Sequence, residues 1–308
     1  MPVVSVIETK DLSEEGIRNA TFMAIDESGF KLPKKFDTAI LKVNLRYYWD
    51  SSTGETTDPR VVSAIIDYIR DHCDREADIV VAEADASAMR TKYAFRMLGY
   101  EKLAERKSVR LTNLCEFEKV EKEVVVNGKK FVLPIAQSML DADLLINVPK
   151  LRTHRLTTIS CSLKNLFGAI AKPRKIAYHP NLNEVIVGIN KLLKPNLAVV
   201  DGMIGLGKYP IKMGLVLVST DQLAADFVAA KIIGYNPLRI EHLTLAEKEG
   251  VGIRTNLKII GVQDLTRFSK KFPRENFFIF NLLWQLKLTA LHGYIRLTKD
   301  TMPPVLDG

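Results

Sequence analysis

The chain of 308 residues has few cysteines, and the three that it has stand far apart: Cys73, Cys115 and Cys161. Their odd number and wide spacing exclude the paired CxxC pattern of structural zinc and cluster sites. They also give no disulfide framework of the kind that small secreted domains use. We therefore predict free thiols in a reducing compartment and expect no iron–sulfur cluster.

Long apolar runs are also absent. No run of 18 or more apolar residues occurs, whereas a membrane-spanning helix needs about 20. The N-terminal sequence MPVVSVIETKDLSEEG carries acidic residues, where a signal peptide would have basic residues followed by an apolar stretch. We therefore predict a cytoplasmic protein, which leaves open a peripheral contact with a membrane.

Acidic residues are missing from one long segment. Between Leu144 and Asn183 there is no Asp or Glu, yet there are seven basic residues, and the net charge of the whole chain is +8. Nearly all of the excess positive charge therefore lies in this acid-free segment. Its basic residues are Lys150, Arg152, Arg155, Lys164, Lys172, Arg174 and Lys175. Such a cluster indicates a site for a small anionic ligand, a carboxylate or a phosphate.

Apolar, β-branched runs alternate with helical patterns along the chain. Runs that are apolar throughout are typical of strands buried on both faces of a sheet. We predict an α/β fold with a mixed, mostly parallel sheet and helices on both faces. The predicted strands cover residues 38–45, 78–84, 142–148, 196–202, 214–220 and 256–262. The segment EKEVVVNGKKFVLPI (121–135) predicts a separate β-hairpin that turns at Asn127–Gly128.

We divide the chain into three parts, although no linker marks the boundaries. Residues 1–145 are predicted to form an N-terminal α/β lobe, and residues 146–262 a second α/β lobe with the acid-free segment. Residues 263–308 are predicted to form a helical tail. Within it, residues 270–300 combine basic residues, clustered aromatics and a helical pattern. This stretch predicts a final core helix, a homodimer surface or a helix on an anionic membrane surface.

Two segments follow predicted strand ends, where ligands collect in open α/β sheets. In TTDPR, Thr57 or Asp58 is predicted to cap a helix that begins at Pro59. The segment PKLRTH (149–154) is predicted to be a ligand loop. Asp201, at the end of a further strand, is a candidate polar group of the same site. The glycine loop GMIGLGK (202–208) fits a turn or a phosphate cradle equally well.

The acid-free segment carries groups for both binding and proton transfer. A helix start near Ser162–Lys164 would offer free N–H groups to an anion. His154 is a candidate for proton transfer near neutral pH. Lys164, among other cations, would have a lowered pKa and act as a nucleophile or Schiff-base former. The residues predicted to bind the ligand are Thr57, Lys150, Arg152, Thr153, Arg155, Asn165 and Asp201.

Four motifs in the chain resemble the DUF362 family. They are LLINVPKLRTH, SLKNLFGAI, VVDGMIG and STDQLAADFVAAKIIGY, and the similarity runs from about Asn44 to Val262. The family label states no function, so the resemblance implies no particular activity. Some members carry an added ferredoxin-like segment, but this chain lacks the cysteine pattern for one.

A more distant resemblance is to the N-terminal lobe of nickel-pincer lactate racemases. It implies that His154 is a base, that Lys164 bonds covalently to a nickel-carrying nucleotide, and that His179 is a nickel ligand. Thr57 and Pro59 would then lie in the substrate loop.

The chain departs from the racemase pattern in two segments. Glu83 and Asp85 lie at the end of the strand at 78–84, where a histidine is expected, and ISCS (159–162) replaces a glycine-rich approach to the lysine. These departures affect the metal ligands and the cofactor-binding loop of the analogy.

Two classes of function follow from the acid-free segment. The first is an enzyme of racemase or isomerase type, which binds a small anionic metabolite around His154 and Lys164. The second is a non-catalytic binder of anions or nucleic acid. A nucleic-acid surface combines spread cations with stacking aromatics, whereas Phe167 and Tyr178 are the only aromatics between residues 144 and 183. We therefore favour a pocket for a small ligand.

Overall fold

The computed structural model of the protein describes residues 1–73 and 77–275. Within them the strands are β1 (Val3–Glu8), β2 (Thr38–Val43), β3 (Asp78–Glu83), β4 (Arg110–Asn113), β5 (Lys119–Val126), β6 (Lys129–Ala136), β7 (Leu144–Val148), β8 (Lys150–His154), β9 (Thr158–Ser160), β10 (Leu197–Leu206), β11 (Pro210–Ser219) and β12 (Lys258–Gly261). The helices are α1 (Glu14–Glu27), α2 (Pro59–His72), α3 (Thr91–Met97), α4 (Tyr100–Lys107), α5 (Gln137–Asp141), α6 (Ser162–Asn165), α7 (Leu182–Leu192), α8 (Gln222–Ile232), α9 (Glu241–Lys248) and α10 (Thr266–Lys271). Short 3₁₀ turns lie between some of these elements.

One sheet of ten strands organises the fold, and its main path runs β12-β1-β11-β10-β7-β2-β3-β4. Along this path β11 runs antiparallel to its neighbours, and the other described neighbours pair in parallel. The strands β8 and β9 extend the sheet from β10, while β5 and β6 form a separate hairpin. The prediction of a mixed, mostly parallel sheet flanked by helices is confirmed.

Each face of the sheet is covered by its own apolar core. On β2, Leu41 and Val43 face a core shared with α1 and α2, whereas Ile40 faces a core shared with α7 and α8. Adjacent residues of a strand point to opposite faces, so an unbroken apolar run is what a strand covered on both sides requires. The apolar runs in the sequence therefore result from this packing of the sheet between two layers of helices.

The predicted hairpin is confirmed in its register and its turn. Val126 pairs with Lys129 across the turn, and Asn127 and Gly128 have φ angles of 49° and 75°. Both values lie in the left-handed region that a tight two-residue hairpin turn requires and that Asn and Gly tolerate best. Val124 and Val126 of β5 are buried and pack in the core beside α7.

Two local predictions are wrong. The segment 149–154 is not a loop, because residues 150–154 form β8, which pairs with β10 and β9. The glycine loop at 202–208 is mostly the end of β10, where a Cβ on Gly205 would lie 2.4 Å from the sulfur of Met213. Residues 91–107 form two helices, because Gly99 adopts a φ of 81° between α3 and α4.

The predicted division at residue 145 falls inside the sheet. The boundary cuts through β7, whose residues on both sides of it pair with β2 of the first range. Strand β1, also of the first range, lies between β11 and β12 of the second. Of the predicted tail, the structure describes α10 and the residues up to 275, so most of the stretch 270–300 lies outside the described residues. Within the part of the chain that is described, no helix has the length and hydropathy needed to cross a bilayer.

Candidate functional site

The candidate site lies at the edge where β2, β3, β7 and β10 end, which we call the carboxyl edge. These strands are parallel, so the segments that follow them meet at this edge. Pro149 follows β7 directly, and β8 then continues the chain alongside the second half of β10. The acid-free segment is carried to the carboxyl edge in this way.

A buried ion pair joins three elements at the carboxyl edge. Lys150 Nζ lies 2.8 Å from Asp201 Oδ2, and both side chains are fully buried. The same carboxylate accepts hydrogen bonds from the backbone N–H groups of Asp58 at 2.7 Å and Met203 at 2.9 Å. Removing one partner of such a pair leaves an uncompensated buried charge, which costs about 3–5 kcal/mol. Lys150 and Asp201 therefore bind each other and hold β8, β10 and the start of α2 together.

Thr57 also bonds within the protein. Its hydroxyl donates to the carbonyl of Val148 at 2.9 Å and accepts from the N–H of Asn44 at 3.1 Å. Asp58 caps α2 by accepting from the N–H of Arg60 at 2.9 Å, with Pro59 as the first helical residue. Of the two predicted capping residues, the structure selects Asp58, and Thr57 fixes the loop between β2 and α2.

Asn165 belongs to a buried network of amides. Its Nδ2 donates to Asn147 Oδ1 at 2.8 Å, and Asn147 Nδ2 donates in turn to Gln222 Oε1 at 2.9 Å. Beside it, Lys42 Nζ and Glu83 Oε1 form a buried ion pair at 2.7 Å, which the sequence patterns did not single out. A Cβ on Gly168 would lie 3.1 Å from Lys42 Nζ, so a glycine at this position lets the backbone pass close to the pair.

The start of α6 does not offer its N–H groups to a ligand, and this expectation is wrong. The carboxylate of Asp226, on α8, accepts hydrogen bonds from the N–H groups of Ser162 at 2.5 Å and Leu163 at 3.0 Å. Burial raises the pKa of Asp226 to about 7, against the effect of these hydrogen bonds. The neighbouring Cys161 is a free, buried thiol whose pKa burial raises well above its usual range, so it is not an activated nucleophile.

The remaining charges gather in what we call the cationic cluster, defined as Arg46, Arg152, His154, Lys164 and His179. Arg46 follows β2, Arg152 and His154 belong to β8, Lys164 lies on α6, and His179 lies on the 3₁₀ turn Ile176–Asn181. Among the described residues, Glu55 is the carboxylate in ion-pair contact with the cluster. It lies 3.1 Å from Arg46 Nη1 and 3.4 Å from Arg152 Nη1.

Burial, together with repulsion between the charges, lowers the pKa values of Arg152, His154, Lys164 and His179. Burial, followed by the charges of Arg152 and Arg46, lowers the pKa of Lys164 to about 7. Burial and Lys164 lower the pKa of His179 to about 4, and burial and Arg46 lower that of Arg152 to about 10. Burial and then Lys164 hold the pKa of His154 well below its usual range. At neutral pH both imidazoles are therefore neutral, and Lys164 is partly deprotonated.

Several donors of the cluster have no acceptor. Within residues 1–73 and 77–275, Lys164 Nζ makes no hydrogen bond or ion pair, and it faces the ring of Phe167 at 5.7 Å. In the same part of the chain, Arg152 Nε and His179 Nδ1 are buried without a hydrogen-bond partner. Buried polar groups in native proteins are nearly always hydrogen-bonded. Convergent buried donors of this kind make the cationic cluster a candidate site for an anionic ligand.

The structure thus separates the predicted site residues into groups. It brings Arg152, His154, Lys164 and His179 together, whereas Lys150, Asp201 and Thr57 are held in internal contacts. Thr153 Oγ1 donates to the carbonyl of Leu206 at 3.3 Å and joins β8 to β10. Arg155 lies at the surface in the turn after β8. The prediction missed Arg46 and Glu55, which stand in a loop about 100 residues before the acid-free segment and have no motif of their own.

The described residues do not fit a metal site made of protein side chains. Among them, no group of three or more His, Cys, Asp or Glu side chains is placed to hold a metal ion. His179 packs near Phe167, with ring centres 6.3 Å apart. The described residues therefore do not fit the nickel-carrying nucleotide implied by the racemase resemblance.

Comparison with known proteins gives a family and one curated relative. The model of the family described as "Domain of unknown function (DUF362)" matches residues 40–231. The "Thylakoid-associated protein sll1697" of Synechocystis sp. (strain ATCC 27184 / PCC 6803 / Kazusa) is 30% identical over 189 residues. The match covers 55% of this chain and 58% of the relative, so the chain spans less than two thirds of that protein.

Two solved structures share parts of the fold. The lactate racemase apoprotein from Thermoanaerobacterium thermosaccharolyticum has a TM-score of 0.49 and 9% identity, over 75% of this chain and 57% of the racemase. A crystal structure of a Thermotoga maritima protein has a TM-score of 0.43 and 15% identity, over 73% and 60% of the two chains. At these TM-scores, neither structure assigns a ligand or a reaction to this chain.

Proposed function

The chain belongs to the DUF362 family, and we propose that its cationic cluster is the ligand site of an enzyme acting on a small carboxylate or phosphate metabolite. The observation that carries the proposal is the Lys164 ammonium, which has no acceptor among the described residues and is surrounded by other donors. Glu55 balances only part of the positive charge. An anion would supply the missing acceptors.

In this proposal Arg152 binds the anion. Its guanidinium is buried, is held from one side by Glu55, and has its Nε free of protein partners among the described residues. A planar guanidinium suits the two oxygens of a carboxylate or phosphate. Arg46, in the loop after β2, pairs with the same Glu55 and adds positive charge that attracts the anion.

Lys164 is the group proposed to accept a proton or attack the substrate. With a pKa of about 7, a large part of it is a neutral amine at physiological pH. A neutral amine beside a bound carboxylate can remove a proton from the adjacent carbon, or form an imine with a carbonyl group by loss of water. We therefore propose proton-transfer chemistry next to the carboxylate as the reaction class.

His154 is proposed to donate a hydrogen bond rather than to act as the base. The N–H of Leu156, which can only donate, points at His154 Nδ1 from 3.3 Å. The hydroxyl of Thr157 lies 3.0 Å from the same nitrogen. A neutral ring that accepts at Nδ1 carries its proton on Nε2. The Nε2–H would then stabilise negative charge that develops on a substrate oxygen.

Thermal denaturation with small anions tests the binding site. We expect acetate, pyruvate, oxalate or inorganic phosphate to raise the melting temperature of the wild-type protein in a saturable way. In Lys164→Met and Arg152→Met, the fitted Kd should rise by at least about tenfold, which is a loss of about 1.4 kcal/mol. Lys172→Met, an exposed lysine of the same segment, is the matched control and should bind as the wild type does.

The reaction class is tested by hydrogen exchange at carbon. A proton-transfer enzyme should introduce deuterium next to the carboxylate of a bound ligand in D₂O, and Lys164→Met should not. Equal stabilisation of wild type and Lys164→Met by every anion tried would overturn the site. Binding without exchange would leave an anion-binding protein and overturn the catalytic part.

We also propose that the chain associates peripherally with the surface of a membrane. The support is the name of the relative, which is described as thylakoid-associated. A protein of this kind binds through surface groups.

A further inference from the structure

The exposed aromatic side chains of the described residues share one location. Those more than about a third exposed are Tyr47, Tyr48, Trp49, Tyr93, Phe117 and Tyr209, and we call them the aromatic rim. They follow β2, β3 and β4 or lie in the turn between β10 and β11. Because β2, β3, β4 and β10 run in the same direction, all six lie at the carboxyl edge. An apolar surface of this kind, gathered on one side of a protein, marks an interaction site.

Contacts between the loops make a large part of this surface continuous. The hydroxyl of Tyr48 accepts a hydrogen bond from the N–H of Arg90 at 3.2 Å, which ties the loop after β2 to the loop after β3. On the other side, the loop after β2 touches the end of β10, where a Cβ on Gly54 would lie 2.9 Å from Leu206 Cβ. Tyr47, Tyr48 and Trp49 therefore stand between Tyr93 and Tyr209.

Cations are interleaved with the aromatic rim. The guanidinium of Arg46 lies 5.8 Å from the ring centre of Tyr47, and Lys92 Nζ lies 4.9 Å from that of Tyr93. Lys208, next to Tyr209, and Arg155, in the turn after β8, are both exposed. Exposed carboxylates also lie in these segments, namely Asp50 next to Trp49, and Glu116 and Glu118 on either side of Phe117. The rim therefore combines aromatic and basic groups that face the same side.

Tyrosine and tryptophan with flanking lysine and arginine are the residues that membrane–water interfaces favour. Their rings are amphipathic and lie at the level of the lipid headgroups. Each basic residue near an anionic membrane surface strengthens the electrostatic attraction to it, and added salt weakens that attraction. We propose that the aromatic rim docks the protein onto the headgroup layer of an anionic lipid bilayer, with Trp49 and Tyr209 in contact with lipid. This inference rests on the membrane association proposed above and identifies the surface responsible.

The docking surface lies beside the cationic cluster, because Arg46 belongs to the loop that carries Tyr47, Tyr48 and Trp49. A protein docked in this way presents the ligand site to the membrane. The ligand would then be an anionic molecule that is concentrated at, or released from, the bilayer surface.

Vesicle sedimentation tests the surface. The full chain should sediment with vesicles of phosphatidylglycerol and phosphatidylcholine, but not with phosphatidylcholine alone, and binding should weaken as salt increases. The double variant Trp49→Ser with Tyr209→Ser should bind the anionic vesicles about tenfold more weakly or worse. The matched control is Met23→Ser with Ile253→Ser, which removes two side chains of similar exposure, 53% and 50%, from other surfaces. It should bind as the wild type does.

The outcomes of this experiment distinguish a failure of the proposed docking surface from a failure of the proposed membrane association. Wild-type sedimentation that the rim variant retains would overturn the docking surface and leave membrane association standing. No sedimentation of the wild type would overturn the association. Binding of a single-stranded oligonucleotide that depends on Trp49, without vesicle binding, would show that the rim stacks bases instead. Unchanged melting temperatures in both double variants would show that a loss of binding does not come from unfolding.

Discussion

Lys164 is the residue whose charge state depends most directly on the tertiary structure. Burial and the nearby arginines lower its pKa from 10.5 to about 7. Between these two pH values the unfolded chain binds a proton at Lys164 that the folded protein does not bind. The free energy of unfolding should therefore rise as the pH increases across this interval.

We expect Lys164→Met to weaken this pH dependence. Between pH 6.5 and 9.5 the ligand-free wild type should gain more stability than the variant. We expect a difference of roughly 2 kcal/mol, because Lys164 is half-buried and solvent screens part of the effect. Lys175 has a pKa that burial lowers to about 8, so part of the rise should remain. Urea denaturation at several pH values measures the difference. Identical slopes for wild type and variant would show that the Lys164 pKa is not lowered.

The tautomer of His154 gives a second prediction at the residue scale. Because the N–H of Leu156 points at Nδ1, we expect the neutral ring to carry its proton on Nε2 at pH 7. The ¹⁵N chemical shifts of the imidazole distinguish the two nitrogens, with His154→Gln used to assign the signals. A proton on Nδ1 would make Nε2 an acceptor, and His154 would then be the base.

At the scale of elements, α6 depends on a side chain from another helix. It has only four residues, and its first two N–H groups are both bound by Asp226. Buried donors that lose their acceptor cost about 1–3 kcal/mol each. The position of Lys164 on α6 is therefore fixed by a carboxylate 62 residues further along the chain, as the numbering shows.

We expect Asp226→Ala to destabilise the protein by about 2–4 kcal/mol, because two N–H groups lose their acceptor in the core. Asp221→Ala is the comparison. It removes the cap of α8 and the acceptor of the exposed N–H of Ile253, which water can replace, so it should cost about 1 kcal/mol. Denaturant titration measures both. Equal losses would indicate that Asp226 acts as an ordinary cap and contributes little to the placement of α6.

At the scale of the whole molecule, strands from residues 1–145 and from residues 146–262, which the sequence analysis assigned to separate lobes, lie side by side in one sheet. Strand β2 pairs with β7, β1 pairs with β11 and β12, and the Lys150–Asp201 pair holds the N–H of Asp58. Neither range can complete its hydrogen bonds without the other.

We therefore expect residues 1–262 to unfold as one cooperative unit. In urea, circular dichroism and tryptophan fluorescence should give coincident transitions for the full chain. A fragment of residues 1–145 should show no cooperative transition, because β2 would lose its neighbour β7 and leave an apolar edge unpaired. A folded fragment would support two independent lobes.

Much of the fold was accessible from sequence for a local reason. Strands covered on both faces must be apolar at every position, and the turn Asn127–Gly128 must accept left-handed φ angles. Both requirements appear in a few consecutive residues. The segment 149–154 was misread because a strand that ends among polar and basic groups, as β8 does, carries no such apolar run.

The candidate site was accessible only in part. His154, Lys164 and His179 all lie in the single acid-free segment, so the sequence indicated a shared site for them. Arg46 and Glu55 could not, since their place in the cationic cluster comes from the parallel pairing of β2 with β7. The aromatic rim was equally hidden, because its members come from four separate segments and share only an edge of the sheet.

The sequence by itself determined the class of fold, the hairpin and the local excess of positive charge, because each of these depends on the composition of neighbouring residues. The tertiary structure decided which of the basic groups are paired within the protein and which remain available to bind a ligand. Lys150 finds Asp201 at a separation of 51 residues, and the N–H of Ser162 finds Asp226 at a separation of 64. Lys164 finds no acceptor among the described residues. A charged group pairs with the partner that the fold brings within about 3 Å. The residues next to it in the sequence do not indicate which partner that is.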